Sequence, residues 1–173
     1  MLSKNMNEKL NAQITHEFYS SYMYRQMASW FDASGLKILH QRFLTQANEE
    51  QMHATKLIDY LQKAGGTLRL GAIEAPPCEY DGVADVLART YKHEQGVTKK
   101  IHQLVAQAEK DEDYSTRSYL QWYIDEQVEE ESSFSDMLQL AKLAGDNLLA
   151  LEDRIEKLMT AAKKAAAGAA AGA

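Results

Sequence analysis

The sequence predicts an all-α fold, namely a four-helix bundle with one long crossover and a short fifth helix at the C-terminal end. Two observations favour long helices. Only two prolines interrupt the 173 residues, and they are adjacent, at Pro76 and Pro77. Four long segments also carry apolar side chains at alternating spacings of three and four, the pattern of a helix that faces a bundle core. Strand signals are absent.

Breaks rich in Gly, Asp, Asn and Ser divide the chain into its predicted elements. Helices are expected at residues 5–33, 37–65, 82–110, 114–144 and 148–160. Residues 1–160 then form one domain of ordinary size. Residues 161–173 contain only Ala, Gly and Lys and are predicted to be a frayed or disordered tail, because such side chains bury little surface.

The loop lengths predict the topology of the bundle. The first and third connections are a few residues long, so the helices that they join should be antiparallel neighbours. The connection at residues 66–81 can span about 50 Å at about 3.3 Å per residue, whereas a helix of this length extends only about 43 Å. This loop can therefore cross the whole bundle and leave the second and third helices parallel.

Composition excludes several classes of function. A net charge of -6 and a pI near 5.4 argue against a nucleic-acid partner and favour cations. No apolar run approaches the roughly 18 residues of a membrane span, and the first residues lack the pattern of a secretory signal. The single cysteine, Cys78, agrees with a reducing compartment. We expect a cytoplasmic protein without membrane contact.

Polar residues interrupt the apolar stripe of every long helix at the same depth. All of them fall within about 3 Å, measured along the axis, of the midpoint of their predicted helix. Four buried carboxylates at close range cannot all stay ionised unaided, because each loses hydration and repels the others. The residues are Glu17, then Glu50 and His53, then Glu94, and finally Gln127 and Glu130.

Two divalent cations would balance these four carboxylates. Oxygen-rich ligands with a single imidazole suit iron or manganese better than a structural zinc site. The spacing of Glu50 and His53 puts both on one helix face, as in di-iron carboxylate bundles. The pattern therefore predicts a dinuclear metal site.

Around these residues the sequence resembles the bacterial non-haem ferritins, over roughly residues 1–160. The resemblance implies a ferritin-like bundle that assembles into a homo-oligomeric shell of twenty-four subunits. Each subunit would oxidise Fe(II) with dioxygen or peroxide and deposit it inside as a ferric mineral. The matching stretches are LNAQITHEFYSSYMY, NEEQMHATKL, TYKHEQ and LQWYIDEQVEEE.

The same resemblance implies roles for individual residues. Glu17, Glu50 and His53 would hold the first iron, with Glu50 bridging to a second iron held by Glu94 and Glu130. Gln127 resembles a glutamine beside the centre that donates a hydrogen bond to a bound oxygen species or water. Tyr24 resembles a tyrosine that supplies an electron or steadies a ligand. A third iron site would use Glu49, Glu126 and Glu129, with Glu130 shared. Judged from the residues alone, Tyr24 could equally be a core tyrosine, and these three glutamates a solvated face.

Departures from related families matter as well. Gln51 stands where bacterioferritins carry their haem methionine, so we expect no haem. Arg117 and Leu120 occupy positions where animal ferritins have the acids of their threefold channels, which leaves the iron access route open.

Two other interpretations compete with iron storage. A di-iron peroxidase or oxygenase-like enzyme would keep the metals and change the reaction. A purely structural bundle would have no redox chemistry, but it does not explain the shared depth of the polar residues.

Overall fold

The computed structural model describes residues 2–171, and all regular secondary structure within that range is α-helical. The helices are α1 (Lys4–Ala33), α2 (Lys37–Lys63), α3 (Val83–Lys110), α4 (Tyr114–Ala144) and α5 (Leu148–Ala171). The predicted all-α class is confirmed, and the first four helices begin and end within two residues of their predicted limits. None of the described helices is long and apolar enough to cross a membrane.

The fifth helix is longer than the sequence predicted. It continues through the alanine-rich segment to Ala171 instead of ending near residue 160. The predicted low-complexity tail at residues 161–173 is thus helical as far as Ala171, and alanine, its most frequent residue, has the highest intrinsic helix propensity. Residues 172–173 lie outside the described part of the chain.

Side chains at the helix ends explain where α1 and α4 begin. The Ser3 hydroxyl accepts a hydrogen bond from the Met6 amide at 3.0 Å, and Asp113 accepts one from the Thr116 amide at 3.0 Å. Each satisfies an amide that has no partner within its own helix. Gly145, with a φ of 55°, ends α4 in a conformation that other residues rarely adopt.

The N-terminus of α2 is capped from another helix. Leu36, which precedes α2, has no side chain that could cap it. Instead Glu152 of α5 accepts hydrogen bonds from the amides of Ile38 and Leu39, at 2.7 and 3.1 Å. A carboxylate is favourable at this position because it meets both unpaired amides and the positive end of the helix dipole. This contact ties α5 to the bundle.

Side-chain contacts establish the predicted topology. Residues that come later in α1 contact residues that come earlier in α2 and in α3. Both neighbours therefore run antiparallel to α1. Consequently α2 and α3 are parallel, and the long connection between them crosses the bundle as predicted. The contacts are Ser21 with Ala47 and Ala28 with His40 for α2, and Ser20 with His93 and Met27 with Thr90 for α3.

The crossover begins as an extended strap, residues 67–71, that lies along α1. Side chains four residues apart on α1 pair with backbone groups two residues apart on the strap. Gly66 precedes the strap where a Cβ atom would lie only 2.5 Å from the Leu61 side chain and 2.7 Å from that of Asn7, so any larger residue would displace both side chains. The pairs are Asn7 with Thr67, Asn11 with Thr67 and Arg69, and Thr15 with Gly71.

Two hydrophobic clusters fill the bundle, one toward each end. The aromatic cluster is built around Tyr24, Phe31, Phe43 and Phe134, with Leu151 and Ile155 of α5 at its edge. The aliphatic cluster at the other end contains Leu10, Ile14, Leu57, Ile101, Leu104 and Leu120 among its members. The predicted polar residues of each helix lie between the two clusters.

Candidate metal centre

The structure brings the predicted core carboxylates and His53 together in two overlapping groups. One ligand-type atom from each member of a group lies within 4.8 Å of the others. Glu50 belongs to both groups, which is the geometry of a residue that bridges two positions. The first group is Glu17, Glu50 and His53, and the second is Glu50, Glu94 and Glu130.

These side chains are almost completely removed from solvent. Their exposed fractions range from 0% for Glu94 to 6% for Glu130. Within the described protein atoms, Glu17 Oε2, His53 Nε2 and Glu130 Oε2 are buried without a hydrogen-bond partner. Because buried polar atoms are nearly always paired, these three atoms suit a ligand that the protein does not itself supply.

Burial raises the pKa of all four carboxyl groups. The pKa of Glu50 rises to about 8, first through burial and then through repulsion from Glu94. Burial and the neighbouring Glu50 raise the pKa of Glu17 and of Glu130 well above the usual range, and burial raises that of Glu94. A bound cation reverses this preference, since it stabilises the ionised forms.

Two glutamine side chains support the carboxylates, and the sequence interpretation assigned them no role. The Gln46 amide donates to Glu50 at 2.9 Å and to Glu130 at 2.7 Å, which links α2 to α4. The Gln13 amide donates to Glu17 at 2.8 Å. Each glutamine precedes a core glutamate by four residues, the spacing at which helical side chains meet. That repeated Gln-to-Glu spacing in α1 and α2 is the sequence signal that could have found them.

Tyr24 and Gln127 both contact Glu94. The buried Tyr24 hydroxyl donates to Glu94 Oε1, and its ring stacks on Phe134 with the centroids 5.9 Å apart. The amide nitrogen of Gln127 lies 3.3 Å from Glu94 Oε2. Burial raises the pKa of Tyr24 well above its ordinary value, so the phenol remains a donor at neutral pH.

The three glutamates predicted for a third site lie at the rim of the centre. Half-buried Glu126 forms a further close group with His53 and Glu130. Burial raises the pKa of Glu126, and the charges of Glu129 and Glu49 add to the rise while His53 opposes it. Glu129 is exposed, and Glu49 pairs with Arg42 at 3.6 Å. Neither Glu49 nor Glu129 joins a close group among the described residues.

A family model described as the ferritin-like domain matches residues 7–144, which include every residue of the two close groups. The chain belongs to the ferritin-like family. Similarity to bacterial non-haem ferritins over most of the chain confirms the predicted resemblance. The bacterial non-haem ferritin of Escherichia coli is 38% identical over 163 residues, which cover 92% of this chain and 99% of that protein. A probable bacterial non-haem ferritin-like protein of Haemophilus influenzae is 41% identical over 147 residues, 85% of this chain and 89% of that protein.

Solved ferritin structures confirm the predicted ferritin-like fold. The open-pore ferritin of the hyperthermophilic archaeon Archaeoglobus fulgidus superposes with a TM-score of 0.88 at 42% identity, covering 91% of this chain and 98% of that one. A form of the same ferritin engineered to be closed gives a TM-score of 0.87 at 42% identity, with 90% and 96% covered.

Several histidines of this ferritin-like chain lie outside the close groups. The rings of His16 and His93 stack with centroids 5.2 Å apart, and His93 Nε2 lies 2.8 Å from the Ser20 hydroxyl. His40 contacts the Ala28 carbonyl at 2.9 Å, whereas His102 is exposed. None of these four histidines joins a close group of metal-ligand type among the described residues.

The two positions that depart from the animal ferritin channel have structural roles in this ferritin-like bundle. Arg117 forms an ion pair with Glu109 at 3.1 Å. Leu120 is completely buried in the aliphatic cluster. Neither side chain supplies an acid that could attract iron at the surface.

Proposed function

We propose that this protein is an iron-storage ferritin subunit that oxidises Fe(II) at the centre of its own bundle. The observation that carries the proposal is the pair of close carboxylate groups that share Glu50. In this function Glu17, Glu50 and His53 bind the first iron, while Glu50, Glu94 and Glu130 bind the second. Glu17, His53 and Glu130 each have a buried oxygen or nitrogen atom without a hydrogen-bond partner, and these atoms would be ligands of the two ions.

Charge explains both the uptake of iron and its release. Two Fe(II) ions bring four positive charges against four carboxylates, which offsets the burial that otherwise favours their protonated forms. Each iron then loses one electron. Dioxygen takes both electrons and two protons to give hydrogen peroxide, or peroxide takes them to give two waters. Six positive charges now face four carboxylates, so the ferric ions take up hydroxide or oxide from water, with release of protons, and leave as the hydrolysed product that forms mineral.

Residues beside the ligands prepare the site for this reaction. Tyr24 and Gln127 donate hydrogen bonds to Glu94, which orients that carboxylate before iron binds. Gln127 also has an N–H group near the second iron position, where it could donate to bound water or an oxygen species. Glu126, with Glu49 and Glu129 beside it, offers oxygen ligands at the rim, which supports a third iron position between the centre and the mineral.

The shell and its location belong to the same proposal. We infer a homo-oligomer of twenty-four subunits in the cytoplasm, because the relatives are named as ferritins and a mineral needs an enclosed space. Size-exclusion chromatography combined with iron analysis tests this. Iron should elute with a large assembly after exposure to Fe(II) and air, whereas a monomer or dimer without iron would instead favour a di-iron peroxidase.

Two ligand variants test the ferroxidase reaction. Glu50→Ala and His53→Ala should each abolish rapid Fe(II) oxidation, followed as initial oxygen consumption, while the protein still folds and assembles. Asp59→Ala changes an exposed carboxylate on the same helix and is the matched control. Unchanged initial rates in both ligand variants would overturn the proposal.

A further inference from the structure

Gln127 can help the proposed reaction only if its amide group faces the centre in one particular orientation. Its two ends have opposite properties, because the nitrogen donates hydrogen bonds and the oxygen accepts them. The side chain is 4% exposed, and its nitrogen lies 3.3 Å from Glu94 Oε2, from the Glu94 carbonyl oxygen and from Thr98 Oγ1. The Glu94 carbonyl oxygen can only accept a hydrogen bond, and Glu94 Oε2 likewise can only accept when the carboxylate is ionised.

The Thr98 hydroxyl decides whether the third contact also requires a donor. A hydroxyl has a single proton, which it can give to one partner only. Thr98 donates toward Glu131 Oε1, and the Glu94 carbonyl at 3.1 Å is its other acceptor. Either way the proton points away from Gln127, so the oxygen of Thr98 must accept from the glutamine.

A reversed Gln127 amide would therefore place its oxygen against three acceptor atoms. A buried, unpaired acceptor is unfavourable, so the reversed orientation is disfavoured. Without Glu131, only the Glu94 carbonyl, at 3.1 Å, would compete for the Thr98 proton, so that proton could turn more readily toward the oxygen of a reversed Gln127 amide. Glu131 thus influences the centre indirectly, because it accepts the proton of Thr98, whose oxygen in turn accepts a hydrogen bond from Gln127.

We propose that Thr98 and Glu131 are positioning residues that hold the Gln127 amide with its N–H side toward the second iron position. This inference rests on the proposed ferroxidase function. Neither residue belongs to the close carboxylate groups. Both stand four residues beyond a residue of the centre, Thr98 after Glu94 on α3 and Glu131 after Gln127 on α4, so each lies on the same helix face as its neighbour.

Threonine variants of the full-length assembled protein test the proposal. Thr98→Val keeps the shape of the side chain and removes the acceptor. We expect kcat for Fe(II) oxidation to fall about three- to tenfold, the effect of losing one ordinary hydrogen bond, with KM for Fe(II) unchanged. Thr98→Ser restores the hydroxyl and should restore kcat. Thr45→Val is the matched control, because Thr45 also donates to a carbonyl of its own helix, at 3.0 Å, but away from the centre.

A double-mutant cycle separates positioning from a general structural effect. In a Gln127→Leu background, Thr98→Val should cause no further loss, because the residue that Thr98 orients is gone. An equal loss in both backgrounds would overturn the proposal, as would a Thr98→Val enzyme with wild-type kcat or a Thr98→Ser enzyme as slow as Thr98→Val. Anaerobic Co(II) titration should give the wild-type number of ions per subunit in every Thr98 variant, and a reduced number would also overturn it.

The ligand variants distinguish failure of this inference from failure of the proposed function. If Glu50→Ala abolishes oxidation while Thr98→Val changes nothing, only the positioning role is wrong. If Glu50→Ala oxidises iron at the normal rate, the ferroxidase assignment itself is wrong.

Discussion

The two ends of the bundle are filled with apolar side chains, whereas its middle holds buried carboxyl groups. In the aromatic and aliphatic clusters, buried apolar side chains pack against one another and stabilise the fold without any ligand. Between them lie four buried carboxyl groups with raised pKa values and several unpartnered polar atoms. The ends therefore supply the stability that permits the centre to be unfavourable without metal.

The largest expected effect comes from the aromatic cluster. Phe43 is fully buried against Tyr24, Phe31 and Phe134. Phe43→Ala should lower the free energy of unfolding of the metal-free protein by about 3 to 5 kcal/mol, because it removes apolar contacts and leaves a cavity. Urea denaturation measures this. Leu143→Ala, at a side chain that is 84% exposed, is the control and should change little. A loss below about 1 kcal/mol at Phe43 would contradict the role given to the ends.

An intermediate effect of opposite sign is expected at the centre. Glu17→Gln removes a buried acid whose pKa is raised by burial and by Glu50. The metal-free variant should be more stable than the wild type at neutral pH, by about 1 to 3 kcal/mol. It should also bind Co(II) more weakly and oxidise Fe(II) slowly, since an anionic ligand is lost. A variant that is more stable and still oxidises iron normally would favour the purely structural bundle.

The smallest expected effect is the change in stability per pH unit. Glu50 binds its proton more tightly in the folded state, with a pKa of about 8 against an ordinary value of 4.5. Its contribution is complete below the unfolded pKa and is lost as pH rises through about 8, with a slope of at most about 1.4 kcal/mol per pH unit. The metal-free protein should therefore lose stability as pH rises from 4.5 to about 8.

Two controls sharpen the pH experiment. Glu50→Gln should reduce the slope by the share that Glu50 contributes, because the amide does not titrate in this range, while Glu17, Glu94 and Glu130 keep their own shares. Saturating Zn(II) should reverse it, since the metal binds the ionised ligands and releases protons. Equal slopes in wild type and Glu50→Gln would show that another group dominates.

Periodicity and depth predicted the fold and the innermost residues because both depend on local spacing. Glu17, Glu50, Glu94 and Glu130 interrupt apolar stripes at one level, and helix geometry alone brings such positions together. Contacts between distant segments could not be read this way. Glu152 reaches α2 across 114 residues of sequence. Its role as a cap depends on where α5 docks, and no spacing within α5 indicates it.

The rim of the centre was harder to predict for a different reason. Glu49, Glu126 and Glu129 lie one position off the buried stripes, where a glutamate is usually solvated. Only Glu126 turns far enough inward to approach His53 and Glu130. The roughly 100° step between helical neighbours leaves such residues at the boundary of the core, and small rotations of the helix decide which of them faces inward.

The strap can pair with α1 because the helix and the extended chain repeat at nearly the same distance. Four residues of helix advance about 6.0 Å, whereas two residues of extended chain advance about 6.6 Å. The two distances are close enough to match over the three pairing positions at Asn7, Asn11 and Thr15. Because alternate backbone groups point to opposite sides, the strap tolerates a change of length by two residues far better than a change by one. The repeat of α1 therefore fixes the steps by which the length of the strap can change while its pairing is kept.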